Sequence, residues 1–234
     1  MTDVTFDAPA GALPGYLAEP TAQDPAPGVV VIHDAFGVSG DIKRICDRLG
    51  TAGYLTLAPA LFRRGNNKLA CVVSTLRAMA TGTGVAYDDI VAARDYLASD
   101  ARCTGKVGIV GFCMGGGFAL QMAPRGVFDA AAPNYGNLPK NLDGLRDACP
   151  TVASYGAKDR TLPGAAAKLE KVFTEGNVAH DVKEYPEVGH SFMNDFGTPA
   201  PLQFVVGAAG FLYSEPEAED AWQRIDTFFK QHLG

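Results

Sequence analysis

The stretch Lys106-Val-Gly-Ile-Val-Gly-Phe-Cys-Met-Gly-Gly-Gly-Phe-Ala-Leu-Gln121 limits what this chain can fold into more than any other. It opens with an apolar, partly β-branched run at 107–110 and closes in a helical pattern over 117–122. Between them lies Gly111-x-Cys113-x-Gly115. An apolar run, then glycines, then a helix predicts a strand that turns sharply into a helix. Glycine on both sides of Cys113 lets the two elements close on each other where a side chain would collide. The cysteine at such a turn sits in strained backbone. A helix N-terminus beside it favours a thiolate. Taken alone, the same residues also suit a small buried cysteine, or a phosphate-binding turn.

Strands and helices alternate along the rest of the chain. A hairpin is expected from 4–6 and 13–18, and a Pro-rich connector at 21–28 leads to a strand at 29–32. Its unbroken β-branched residues predict burial on both faces. Helix is expected over 40–52, where Ile42, Ile45, Cys46 and Leu49 share a face, then strand at 54–57. Helices follow at 66–79 and 87–98, with the glycine-broken turn 81–84 between them. Beyond the cysteine turn come strand 128–133, strand 152–155, helix 163–175, strand 182–185 and helix 217–232. Residues 197–216 read as a loop over the site or a long surface connection. This order predicts an α/β fold, a mostly parallel central sheet with helices on both faces. No composition break or repeat divides it, so one domain over residues 1–234 is expected.

The net charge of −6 argues against nucleic acid or an anionic membrane as a partner. The N-terminus lacks the basic and apolar regions of a signal peptide, and no apolar run is long enough to span a bilayer. Five cysteines without a C-x-x-C pair fit a reducing, cytoplasmic setting and predict neither a disulfide framework nor a metal site. Nothing demands an oligomer. A monomer is expected, with a dimer as the alternative.

In a parallel sheet the chemistry gathers at the carboxyl ends of the strands. Those ends carry His33-Asp-Ala-Phe-Gly37, then Cys113, then the loop with Asp159, then Glu187-Val-Gly-His-Ser-Phe192. A thiolate at Cys113 can attack a carbonyl carbon, with His190 taking and returning the proton and Asp159 fixing the imidazole. Backbone N–H groups of Met114 and Ala35 would complete an oxyanion hole. Asp159 alone reads more readily as a turn residue or cap ahead of Pro163, and His190 alone can be a loop histidine. All three roles at successive strand ends are a rarer coincidence. His180 and His232 lie in polar surroundings and read as solvent-facing.

These segments resemble the dienelactone hydrolase family of the α/β-hydrolase superfamily. The likeness rests on His33-Asp-Ala-Phe-Gly37, Gly111-Phe-Cys-Met-Gly-Gly116, Asn134-Tyr-Gly136 with the acid loop, and Gly189-His-Ser-Phe192, and runs from about residue 28 to 192. The nucleophile, acid, histidine order is that of the superfamily. The resemblance implies one catalytic domain with no metal or organic cofactor. It implies hydrolysis of a small ester or lactone (carboxymethylenebutenolidase-like) through a thioester acyl-enzyme.

The sequence departs from the family pattern in two places. Asp34 stands where the family usually has a glutamate that contacts the resting thiol. It can touch Cys113 or orient His33 and the loop. Met193 and Asn194 stand where lactone-cleaving members carry an arginine for the substrate carboxylate. Arg63, Arg64, Arg77 and Arg160 are the other arginines that can supply a cation, or are surface residues. Phe36, Tyr135 and Asn194 are candidate pocket residues, and both aromatics read equally well as core. Two other functions stay open: a thiol-based redox protein, and a non-catalytic small-ligand-binding member of the fold.

Overall fold

The computed structural model describes residues 2–21, 25–64, 68–199, 201 and 210–234. Its strands are β1 (Thr2–Phe6), β2 (Leu13–Ala18), β3 (Ala26–Ile32), β4 (Leu55–Pro59), β5 (Cys103–Phe112), β6 (Ala130–Asn134), β7 (Thr151–Gly156) and β8 (His180–Tyr185). They form one eight-stranded sheet, ordered β1-β2-β4-β3-β5-β6-β7-β8. From β4 to β8 every neighbouring pair is parallel. The N-terminal hairpin, β1 with β2, adds to this sheet antiparallel to β4.

The helices are α1 (Gly40–Thr51), α2 (Lys68–Thr81), α3 (Val85–Ser99), α4 (Met114–Met122), α5 (Ala165–Glu175) and α6 (Glu215–Leu233). β3 shows why they flank both faces. Val29 and Val31 enter a core with Ile42, Ile45 and Leu49 of α1 and Trp222, Ile225 and Phe229 of α6. Val30 and Ile32 enter the opposite core with Ile90 and Leu97 of α3 and Phe118 and Met122 of α4. All four are fully buried, as the unbroken β-branched run requires. Leu169 and Phe173 of α5 close a third cluster around Tyr155 of β7.

Several boundaries differ from those expected, and three of the shifts have a local reason. β5 starts at Cys103 rather than 107, because Ala26 pairs with Cys103 although 104–106 are exposed and carry no apolar signal. α4 starts at Met114 rather than 117, so the cysteine itself is the residue before the helix. α6 starts at Glu215 with Pro216 in its first turn, where a missing N–H costs nothing. Among the described residues no single helix is long and apolar enough to cross a membrane. Of the stretch expected at 197–216, residues 200 and 202–209 lie outside the described residues. Of its described part, Gly210 packs against Gly189 and Phe211 against the His190 ring.

Candidate active site

Cys113 has φ 55° and ψ −113°, a left-handed conformation strained for a side-chain-bearing residue. Its surroundings impose that strain. A Cβ on Gly111 would lie 2.0 Å from the Gly115 carbonyl oxygen, and one on Gly115 would lie 2.1 Å from the Ile32 carbonyl oxygen. Backbone therefore touches backbone where β5, α4 and the end of β3 meet, and only glycine fits. The Cys113 N–H donates to the Asn134 carbonyl at 3.1 Å, tying the turn to β6 as well. As first residue of α4, Met114 has an N–H with no acceptor inside the helix.

Asp159 and His190 follow β7 and β8, and the fold brings them together. The imidazole Nδ1 donates to Asp159 Oδ2 at 2.6 Å. Asp159 Oδ1 accepts from the Thr161 N–H at 2.8 Å and the Thr161 hydroxyl at 2.6 Å. Burial pushes the Asp159 pKa upward, but hydrogen bonds from His190 and Thr161 outweigh it and hold the carboxyl below its ordinary value. The Cys113 side chain acts on the same imidazole. Burial works to lower the His190 pKa, yet the hydrogen bond to Asp159, then the hydrogen bond and charge of Cys113, carry it up to about 9. Thr161 went unnoticed in the sequence. Its signal is an Asp-x-Thr spacing, which lets an aspartate accept from the backbone two residues on.

After β3 the chain turns through a buried polar loop. The Phe36 N–H donates to Asp34 Oδ1 at 2.7 Å and the Gly37 N–H to the Asp34 carbonyl at 3.3 Å. No acceptor is found for the Ala35 N–H among the described residues. Asp34 is 2% exposed, and its Oδ2 has no hydrogen-bond partner among the described residues. Burial raises its pKa to about 6, against the Phe36 hydrogen bond that lowers it, with the nearby Asp41 charge adding to the rise. His33 is fully buried, its Nδ1 2.7 Å from the Asp34 carbonyl, and burial holds its pKa down at about 4.

Of the candidate pocket residues, Tyr135 lies against His190, with ring centroids 5.3 Å apart. It is fully buried and, at φ 39°, strained. Asn194 is fully buried with both amide ends taken: Oδ1 accepts from the Tyr135 hydroxyl at 2.6 Å and Nδ2 donates to Asp41 Oδ2 at 2.6 Å. Its amide is thus directed at Tyr135 and Asp41. Phe36 is 70% exposed and edge-on to Phe196, bordering a groove of about 600 Å³ with Asp41, Arg44 and Asp195. A second cavity, of about 550 Å³, opens on His190 and Asp159 between the acid loop and Phe211, Leu212 and Tyr213. Cys113 is not among its lining residues, so it meets the imidazole and not the sulfur. Arg160 lines this cavity, whereas Arg64 is paired with Asp89. All five cysteines are free. Among the described residues no cluster of His, Cys, Asp and Glu suits a metal ion.

The sequence model of the dienelactone hydrolase family matches residues 13–233. A protein of Escherichia coli K12 with the provisional name carboxymethylenebutenolidase is 31% identical, over 95% of this chain and 83% of its own length. A protein of the same provisional name from Azospirillum brasilense is 31% identical over all of both chains. Among solved structures, a provisionally assigned dienelactone hydrolase from Klebsiella pneumoniae superposes with a TM-score of 0.77 at 26% identity, over 98% of each chain. The match spans the cysteine turn, the acid loop and the histidine loop alike, and the chain belongs to the dienelactone hydrolase family, hydrolases of carboxylic esters and lactones built on the α/β-hydrolase fold.

Proposed function

We propose that this chain hydrolyses a small ester or lactone in two acyl-transfer steps through Cys113, His190 and Asp159. One observation carries this: the imidazole bonded to Asp159 through Nδ1 has its pKa raised in part by Cys113, a cysteine held in the strained turn. That is the arrangement covalent catalysis requires, a nucleophile, a base within reach and a third group that orients the base.

The Cys113 thiolate attacks the carbonyl carbon, and negative charge collects on the carbonyl oxygen. The N–H groups of Met114 and Ala35 are the donors suited to hold that charge. When the tetrahedral adduct collapses, the carbon–oxygen bond breaks and His190 protonates the departing alkoxide, leaving a thioester on Cys113. For a lactone the leaving hydroxyl stays tethered to the acyl group. His190 then takes a proton from water, the hydroxide attacks the thioester, and the carboxylate leaves as the thiolate is restored. Asp159 keeps the proton on Nδ1 so that the other ring nitrogen faces the chemistry.

The family expectation of a carboxylate-binding arginine after the histidine does not carry over, because Asn194 occupies that place and is spent on Tyr135 and Asp41. The redox alternative needs a second reactive thiol. Cys46 is fully buried, and burial raises its thiol pKa strongly, against the role of a resolving thiolate. Incubation with p-nitrophenyl acetate, followed by intact-mass measurement, tests the proposal. The expected result is an acetyl adduct on Cys113 and a loss of roughly 10³-fold or more in kcat/KM for Cys113→Ala. Esterase activity that survives this substitution would exclude Cys113 as nucleophile.

A further inference from the structure

The imidazole of His190 is held by Asp159 at its edge, but the turn that carries it is also held from behind by groups outside the triad. Tyr135 lies with its ring against the imidazole, and its hydroxyl donates to Asn194 Oδ1 at 2.6 Å. Asn194 Nδ2 donates to Asp41 Oδ2 at 2.6 Å. Asp41 Oδ1 in turn accepts from the Asp195 N–H at 3.3 Å and from Arg44 at 3.0 Å. Residues 194 and 195, shortly beyond the histidine, are thus pinned at two successive positions. The pin is needed because Ser191, next to His190, has φ 61°, a conformation a serine does not hold unaided.

From this geometry we infer that Asp41, Asn194 and Tyr135 are positioning residues for His190, joined in a buried relay from the first turn of α1 to the face of the imidazole. The inference rests on His190 being the general base proposed above. The relay is directional. Tyr135 donates to an amide oxygen, the amide nitrogen donates to a carboxylate, and that carboxylate is closed by Arg44 and a backbone N–H. The Tyr135 hydroxyl, both ends of the Asn194 amide and both Asp41 oxygens are all engaged, so it cannot shift by rotating one side chain. The other charges around it are Asp195 beside Asp41, with Cys113 and Asp34 near the Tyr135 hydroxyl. Burial raises the Asp41 pKa, with the Asn194, Arg44 and Asp195 N–H contacts opposing it.

The wiring suggests a test that plain space-filling would not pass. Asp41→Asn sets an amide nitrogen against an amide nitrogen. Asn194→Asp sets a carboxylate against a carboxylate. The double substitution Asp41→Asn with Asn194→Asp restores every hydrogen bond with the central donor reversed. Each single variant should lose roughly tenfold or more in kcat with KM within about twofold, since misplacing a base by a fraction of an ångström costs that much. The double variant should recover most of the loss. Tyr135→Phe should behave like the single variants.

The titration of His190, followed by NMR of labelled imidazole, reads the relay without using activity. It should shift in each single variant and return toward wild type in the double. Single variants that melt earlier but keep kcat and the His190 titration would overturn the proposal. So would a double variant as impaired as the singles. Should Cys113→Ala retain esterase activity, the acyl-transfer reading fails, while the NMR arm still decides whether the relay positions His190.

Discussion

The ends of β5 and β3 lie side by side and are built on opposite principles. At the end of β5 the geometry comes from what is missing. Glycine at 111 and 115 lets carbonyl groups approach to where a Cβ would stand, and no polar side chain takes part in that contact. At the end of β3 the geometry comes from polar atoms in a buried place. Asp34 ties its own loop through Phe36, while Asp34 Oδ2 and His33 Nε2 have no hydrogen-bond partner among the described residues. The first end is rigid because nothing else fits. The second stays adjustable because its groups have bonding capacity left over, as would suit the oxyanion-binding role proposed for this loop.

The largest effect should follow from filling the gap at the first end. Gly115→Ala places a Cβ about 2.1 Å from the Ile32 carbonyl oxygen, and backbone cannot yield that far. Loss of more than roughly 4 kcal/mol, or failure to fold, is expected from urea unfolding and soluble yield. Gly40→Ala is the control, since a Cβ there meets nothing within 4 Å, and it should be neutral or slightly stabilising. Equal behaviour of the two variants would remove the claim that close backbone approach builds the turn.

That contrast also explains what the sequence could reveal. The turn at Cys113 was legible because its requirement is local: glycines at fixed spacing between a strand pattern and a helix pattern. The parallel sheet was legible because β3 and β5 alternate their side chains between two cores and so read as unbroken apolar runs. Asp159 and His190 could be found because each follows a strand. Asp41 could not. It reads as an acidic residue in the first turn of a helix, stabilising by position alone, and its bond to Asn194 joins residues 153 apart. Phe36, read equally as pocket wall or core, could not be decided for a related reason. An aromatic after a strand resembles a pocket wall, but β-strand periodicity does not say which way a loop side chain leaves the sheet.

Next in size is Asp159→Asn, which removes the acceptor that fixes the imidazole. A loss of roughly 10³–10⁴-fold in kcat is expected, the scale known for orienting carboxylates in such triads. It should also lower the His190 pKa from about 9 toward the ordinary value of 6.5. The linkage follows from that raised value. The pair stabilises the fold fully below about pH 6.5, and the contribution is lost as pH rises through about 9. Thermal unfolding of wild type should therefore weaken across that window more than unfolding of Asp159→Asn. Parallel pH profiles would mean that the pair is not coupled as its geometry requires.

Asp34→Asn should act more gently and in the other direction. Burial raises the Asp34 pKa from 3.8 to about 6, so the folded chain holds this proton more tightly than the unfolded chain. Wild-type stability should then fall as pH rises from about 4 to about 6, and the ionised group is a cost at neutral pH. An amide keeps an oxygen for the Phe36 N–H and carries no charge. The variant should gain about 1 kcal/mol at pH 7 and lose that slope. The rate of Cys113 alkylation against pH, measured alongside, separates two roles. A changed profile would mean that Asp34 acts on the sulfur, and an unchanged one that it serves the loop alone.

Phe36→Ala should have the smallest effect, and it marks where the adjustable end meets solvent. The ring is 70% exposed and makes one edge contact with Phe196, 5.2 Å between centroids. Little apolar surface is lost with it, so stability should stay within about 0.5 kcal/mol. The Phe36 N–H remains bonded to Asp34 whatever the side chain, so the loop backbone and the kcat for p-nitrophenyl acetate should hold. What can change is the groove of about 600 Å³ that the ring borders. KM should rise for esters with long or aromatic groups and stay within about twofold for the acetate, the pattern of lost uniform binding. A fall in kcat for the acetate itself would place the ring near the reacting atoms and would undo the division between a loop backbone that serves catalysis and a side chain that serves only the size of the substrate.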